Sequence, residues 1–456
     1  MSLRSILAMT FGFSAALMSS ADESATPAIA IEAVYAMALD QAPSLAIAQY
    51  RVASTEAQSA EAAGALLPQL SLFGEWTENS LSYRGPLSAL YGEETYNGER
   101  YGFRARQTLF NMAQFREAQR RKVLTDLSES ELAEAEIELL GQVVDAYLTV
   151  LVADDTVRQF QQESDALDKQ LEESQALYAR ALLPITQVLE TQTRSETVTA
   201  DLIEAEGNAA IARERLTELI GIRDFELMPM SERIVLIASE SAVEDAVRKA
   251  LENSPSVHIA KEGVEAAEYA VKREKGSFWP EVSLVITDQY ADVGFDNLSS
   301  PPRDTESIAI SVNYPLLAGG ARIAKIRGAT ADYHSAREEL KRVNRAIETQ
   351  TRSAWVRLAA AEKRVVAAQQ ACETSEVSVL AAQESVRAGT ARVTDVLVAL
   401  AQRTRALRDR SFAEQQRVMA WLELELITGN SPQSVAPILS DALLSRASVS
   451  ALKRNQ

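Results

Sequence analysis

Ala38 to Ala48 read ALDQAPSLAIA, and Ala250 to Ala260 read ALENSPSVHIA. The two prolines, Pro43 and Pro255, stand 212 residues apart, and the register runs on without a gap through Val52 and Val264, Glu56 and Glu268, and Gly64 and Gly276. It continues into LPQLSL at Leu67 and WPEVSL at Trp279, and about a third of the positions from Ala38 to Leu72 are identical in the second copy. Farther along the offset is 207, where TLFNMAQFR at Thr108 faces PLLAGGARI at Pro315, and then about 208, where ITQVL at Ile185 faces VTDVL at Val393. Length changes this small belong in loops between repeated units. The 456 residues therefore divide into two copies of one unit, 22–221 and 241–429, joined by a connector at 222–240 and followed by a tail at 430–456.

Both units have the same internal order. A helical stretch (Ala28 to Ala65; Ser241 to Gly276) ends ahead of Pro68 or Pro280, since the residue before proline is pushed out of the helical region. The period then changes to two. Leu70, Leu72 and Trp76 alternate with Gln69, Ser71 and Glu75, and Ile308, Ile310, Val312 and Tyr314 alternate with Ser307, Ala309, Ser311 and Asn313. These are two-faced strands. Turn-rich segments such as SYRGPLSALYGEETYNGER and ADVGFDNLSSPPRDTES suit loops, so each unit holds one β-hairpin, at 66–110 and 278–316. Long helical patterns follow, from Gln114 to about Ala179 and from Ala321 to about Arg387, each a rod of about 100 Å at 1.5 Å per residue. The doublets Leu139-Leu140, Val143-Val144, Tyr147-Leu148 and Leu151-Val152 form a stripe wider than a two-stranded seam needs, which predicts neighbours on two sides. An ordinary long coiled coil fits the periodicity equally well. Turns at 180–186 and 387–394 then return the chain into a second helix.

Chemistry is sparse. Lys and Arg number 46 against 64 Asp and Glu, a net charge of −18 that argues against a nucleic-acid partner, whose phosphates need clustered cations. One Cys and two His leave no disulfide framework and little for a metal site. The Gly-rich run Leu317 to Ala321 lacks the Lys-Ser/Thr of a phosphate loop and reads as a turn at Gly319 and Gly320. His258 and His334 stand alone on helical patterns, Cys372 reads as an Ala-like helix residue, and Asp154-Asp155 reads as a solvated face. No catalytic residue and no cofactor is expected. Met1 to Ala21 reads as a secretory signal peptide, with Arg4, an apolar stretch and small residues at Ser19 and Ala21 before Asp22. After it no run of about 18 apolar residues occurs, so no membrane-spanning helix is expected.

About half of the aromatic residues fall in the two hairpin windows, which cover under a fifth of the chain. Phe73, Trp76, Tyr83, Tyr101, Phe103, Phe278, Trp279 and Tyr290 could form the girdles of a membrane β-barrel. Four strands cannot close a barrel, and open edges are not tolerated in lipid. Three copies would give twelve strands, an even number within the known barrel range. The alternative is a small soluble sheet at one end of a helical bundle, in an exported coiled-coil structural protein without a pore.

VYAMALDQAPSL at Val34, LLPQLSL at Leu66, TLFNMAQFREAQ at Thr108, YPLLAGGARIAKIRGA at Tyr314 and RAGTARVTDVL at Arg387, in this order and duplicated, resemble the TolC family of trimeric outer-membrane channel-tunnels. The resemblance implies a mainly α chain whose homotrimer forms a twelve-stranded β-barrel in outer-membrane lipid, continued by a helical barrel through the periplasm. The connector and tail would build an equatorial belt. It also implies a passive exit duct for efflux or type I secretion, with a periplasmic adaptor and an inner-membrane transporter of the ABC, RND or MFS class as partners. The family's adaptor-docking tips carry a Gly, a small or apolar residue, and an Asp six residues after the Gly. Gly389, Thr390 and Asp395 match in the second unit, whereas Ala181, Leu182 and Gln187 occupy these places in the first. Val398 stands where well-known members carry a second acid, so Asp395 is the one acidic ring expected at the periplasmic gate.

Overall fold

The computed structural model describes residues 28–82, 85, 93–231, 234, 236, 242–292 and 301–443. The Met1–Ala21 leader, Tyr83, and parts of the 222–240 connector and 430–456 tail lie outside the described residues. The first half runs α1 (Ile31–Gln41), α2 (Pro43–Gly64), β1 (Gln69–Ser82), β2 (Glu93–Phe110), α3 (Met112–Ala179) and α4 (Ile185–Ile220). The second runs α5 (Val243–Asn253), α6 (Pro255–Gly276), β3 (Glu281–Ala291), β4 (Arg303–Asn313), α7 (Ala321–Arg387) and α8 (Val393–Ile427), and α9 (Pro432–Leu443) follows.

Each opening stretch is two helices where the periodicity suggested one. Ala42 (ψ 115°) and Ser254 (ψ 127°) are extended because Pro43 and Pro255 follow them, and each proline then serves as the first residue of the next helix. Strands begin directly after Pro68 and Pro280. The long helices start differently in the two halves. At α3 the Asn111 side chain accepts the Gln114 N–H at 3.0 Å, whereas α7 is entered through left-handed Gly319 (φ 55°) and Gly320 (φ 80°).

The strands form one antiparallel sheet in the order β1-β2-β3-β4. Leu72 faces Phe103 in the first hairpin, and Leu284 faces Ile310 in the second. Those pairs are related by the 212- and 207-residue sequence offsets, so both hairpins have one register. A bulge at Leu109 interrupts the β2–β3 pairing, which resumes with Phe110 facing Val282. β1 and β4 each have one edge without a strand partner among the described residues.

The main core lies where the middle of α3 meets α1, α9 and the ends of α4 and α8. Leu139, Leu140, Val143, Val144, Tyr147 and Leu148 of α3 pack with Val34, Leu216, Ile220, Trp421, Leu422, Leu424 and Leu439. The doublet stripe therefore has neighbours on more than one side. The Tyr147 hydroxyl donates toward Ile29 O (3.3 Å) and Met228 O (3.1 Å), and burial pushes its pKa well up. A second cluster, with Phe160, Leu167, Val198, Val379, Val396 and Leu397, joins α3, α4, α7 and α8 toward the turns. Asp154-Asp155 is not the solvated face that the sequence suggests. Asp154 accepts from Arg213 of α4 at 2.7 Å, and Asp155 pairs with Arg158 and accepts from Ser411 of α8 at 3.3 Å. Cys372 is buried, and its Sγ lies 3.1 Å from Ala406 O.

Candidate functional site

The interhelical turns close in one geometry on two different residues. Gly389 has φ 70° and Ala181 has φ 57°, the latter being the only non-glycine residue with positive φ among the described residues. At the first turn Leu182 N donates to Leu177 O (2.9 Å), and at the second Thr390 N donates to Ser385 O (2.9 Å), the six-to-one bond of a Schellman closure. The Thr390 hydroxyl reinforces it on Ser385 O at 3.0 Å. Leu182 stays exposed with Ile185, as do Thr390, Asp395 and Val398 in the second turn. Gln187 is half-buried. Asp395 accepts the Arg392 N–H at 2.9 Å, so its carboxylate caps α8 while remaining in solvent. Below the first turn, Glu163 of α3 is buried to 1% side-chain exposure against Arg194 of α4 (2.5 Å), and Ser195 donates to Asp168 at 3.0 Å. Sequence reasoning missed this ion pair, because its partners are 31 positions apart among many similar charges.

The sheet has two chemically opposite faces. Tracing the register across all four strands puts Leu70, Leu72, Trp76, Tyr101, Phe103, Ala105, Leu284, Ile286, Tyr290, Ile308, Ile310 and Val312 on one side, joined by Glu78, Glu99, Asp288, Asp304 and Glu306 only toward the strand-connecting loops. Most of these are exposed, and the Tyr101 and Tyr290 rings stack at 5.0 Å. The other side holds Ser71, Glu75, Arg100, Arg104, Arg106, Thr287, Gln289, Ser307 and Ser311. Phe73 belongs to this polar side, under Arg100 and Arg104, and so does not join the aromatic girdle expected from sequence. The signal for the polar side was RYGFRAR at 100–106, with arginines on alternate positions.

Where the halves meet, α6 lies on α3. Gly276 approaches the backbone so closely that a Cβ would sit 2.9 Å from Ala113 N, and Phe110 meets Trp279 edge-on at 6.1 Å. Glu117 accepts from Arg273 (2.9 Å) and Arg121 (2.8 Å). Burial alone would raise the Glu117 carboxyl, but these bonds and the charge of Arg120 outweigh it and hold it below the ordinary range. Glu262 is the reverse case: burial raises its carboxyl despite the Ser130 hydroxyl at 3.1 Å. The repeat equivalents of Gly276, Ala113, Trp279 and Phe110 have no such partner among the described residues. Gly64 and Gly320 face open space, and Leu67 and Leu317 are 62% and 95% exposed.

No described helix is long and apolar enough to cross a membrane. The chain belongs to the family described as outer membrane efflux protein, whose model matches residues 34–222 and 246–430. It is 25% identical to the alkaline protease secretion protein AprF of Pseudomonas aeruginosa over 71% of this chain and 68% of that protein. Identity to the outer membrane protein TolC of Vibrio cholerae is 23%, over 89% of this chain and 92% of that one. Its fold is shared with the outer membrane protein VceC of Vibrio cholerae, at a TM-score of 0.76 and 19% identity, covering 88% of this chain and 96% of that chain.

Proposed function

We propose that three copies of this chain close a twelve-stranded barrel through the outer membrane and continue it with a helical tunnel, forming the passive exit duct of a tripartite efflux or type I secretion system. The observation that carries this is the sheet: one apolar face, one polar face, and unpartnered outer edges on β1 and β4. In lipid such edges must pair, and threefold closure is the simplest symmetric solution. The internal repeat also supplies the rule for pairing. Within a chain α3 packs on α6 and Phe110 on Trp279, so between chains α7 is assigned to the neighbour's α2 and Leu317 to the neighbour's Leu67. Gly320 would then approach Gly64 as Ala113 approaches Gly276.

In this reading the 222–240 connector and the 430–456 tail belong to an equatorial belt around the α3 core. The turns at Ala181-Leu182 and Gly389-Thr390 dock a periplasmic adaptor, which couples the duct to an inner-membrane transporter. Asp395 lines the periplasmic gate, with Gln187 and Val398 as its uncharged neighbours. Pro68, Pro280, Gly319 and Gly320 set the angle between barrel and tunnel. A pore-free coiled-coil protein would leave the apolar sheet face without a role. Light scattering of the detergent-extracted protein, corrected for bound detergent, tests the assembly: a trimer that conducts in planar bilayers is expected, and a monomer that inserts and conducts would refute it.

A further inference from the structure

Arg104 sits in the middle of the polar sheet face, opposite Ser71 on β1 and Thr287 on β3. Its guanidinium lies over the Phe73 ring, 5.1 Å from the centroid, and Arg100 approaches the same ring at 5.7 Å. Arg106 is paired with Glu281 at 2.8 Å, and Arg100 has Glu75 as its cross-strand neighbour. Arg104 has no carboxylate at ion-pair distance among the described residues. Gly102, between Arg100 and Arg104, is buried with Phe73 and Gln289 as its cross-strand neighbours, and the β2–β3 contact is so close that a Cβ there would meet Asp288 O at 2.1 Å. Counting Arg303, the register puts four arginines on the polar face against Glu75, Glu94 and Glu281, in a chain whose overall net charge is −18.

We propose that Arg104 and its threefold copies form a collar inside the barrel that binds polyvalent anions, such as phosphate- or carboxylate-rich solutes. The proposal rests on the shared-barrel reading, because the apolar face must meet lipid for the arginine face to line the lumen. Stacking on Phe73 holds the guanidinium plane against the wall and leaves its N–H edge for oxyanions, which arginine binds in bidentate fashion. Arg100 to Arg106 spans about 20 Å of strand at about 3.4 Å per residue, so the collar has depth along the duct. Like charges repeated around a water-filled lumen with low-dielectric walls focus the field and concentrate the opposite ion. The collar is opposite in sign to the Asp395 gate at the other end of the tunnel.

The test is single-channel recording of the full trimer in a neutral-lipid bilayer, with inorganic tripolyphosphate added on the side of the strand-connecting loops. Wild type should be blocked. Arg104→Gln should need at least a tenfold higher half-blocking concentration, Arg104→Lys, which keeps the charge but not the bidentate fork, should fall between Arg104→Gln and wild type, and Asp288→Asn, on the opposite face, should be unchanged. Conducting wild-type channels that tripolyphosphate does not block would overturn the collar, as would equal block in Arg104→Gln. Loss of block in Arg104→Lys as complete as in Arg104→Gln would also overturn it, because charge would then not be the cause. An absence of any unitary conductance from wild type would instead overturn the duct reading itself, and the collar with it.

Discussion

Ala181 holds a left-handed backbone (φ 57°) that an L side chain resists by roughly 1–2 kcal/mol, while its repeat equivalent is Gly389. Ala181→Gly is therefore expected to stabilise the first turn by up to about 1 kcal/mol, and Gly389→Ala to weaken the second by a similar amount, read as opposite shifts in urea midpoint. Gly221 and Gly429 make a second internal comparison. Both are left-handed at helix ends (φ 72° and 89°), but a Cβ at Gly221 would meet only the Gln41 side chain at 3.7 Å, while at Gly429 it would lie 2.3 Å from Asn253 Cβ. Gly221→Ala should cost about 1 kcal/mol, and Gly429→Ala clearly more, by the same measurement. Asp395 has a bland role in view, since it caps Arg392 N–H. The gate assignment adds that its threefold ring attracts polyvalent cations. A trivalent cation added on the periplasmic side should block wild type and spare Asp395→Asn; equal block in both would return Asp395 to capping alone.

Between elements, the α3–α6 contact is held by a charge knot whose sign with pH is defined. Glu117 has a carboxyl value below its ordinary one, so the unfolded chain binds more protons there and stability falls as pH drops through the depressed value. In Arg273→Gln one of the groups that hold that carboxyl down is lost while Arg120 and Arg121 remain, so its depression shrinks, stability is lost already at neutral pH, and the acid limb of the urea midpoint against pH becomes shallower. An unchanged limb would show that the knot contributes nothing. The element scale is also where the sequence was most legible. The rods at Met112–Ala179 and Ala321–Arg387 lie within two residues of their sequence bounds, because an uninterrupted Ala-rich periodicity between proline and glycine signals leaves little freedom. The breaks at Ala42 and Ser254 were equally written in Ala-Pro and Ser-Pro, yet were overshadowed by helical periodicity on both sides. Phe73 was misassigned because aromatic content alone does not say which face a strand residue takes; the alternation of β1 puts position 73 with Gln69, Ser71 and Glu75, and the register against Gly102 agrees. The Glu163–Arg194 pair was not legible, since it depends on the antiparallel alignment of α3 with α4.

At the scale of the whole molecule the central claim is that β4 of one chain pairs with β1 of the next. The 212- and 207-residue offsets that relate the two hairpins also convert the observed β2–β3 register into an intersubunit one. Arg104 facing Thr287 becomes Ser311 facing Glu75 of the neighbouring chain, and Arg106 facing Val285 becomes Asn313 facing its Phe73. Within a single chain Ser311 and Glu75 lie on opposite edges of a four-stranded sheet, about 14 Å apart across the strands at about 4.8 Å per strand and eight residues, about 27 Å, apart along them, because Glu75 shares its row with Arg303; that is too far for a disulfide. The decisive measurement is oxidative crosslinking in isolated outer membranes of a chain carrying Glu75→Cys and Ser311→Cys, with the buried Cys372 replaced by Ala. Covalent dimers and trimers on a non-reducing gel, far stronger than for Glu75→Cys with Ser307→Cys, are the predicted result. Absence of intermolecular bonds, or equal crosslinking from the shifted pair, would contradict the shared barrel.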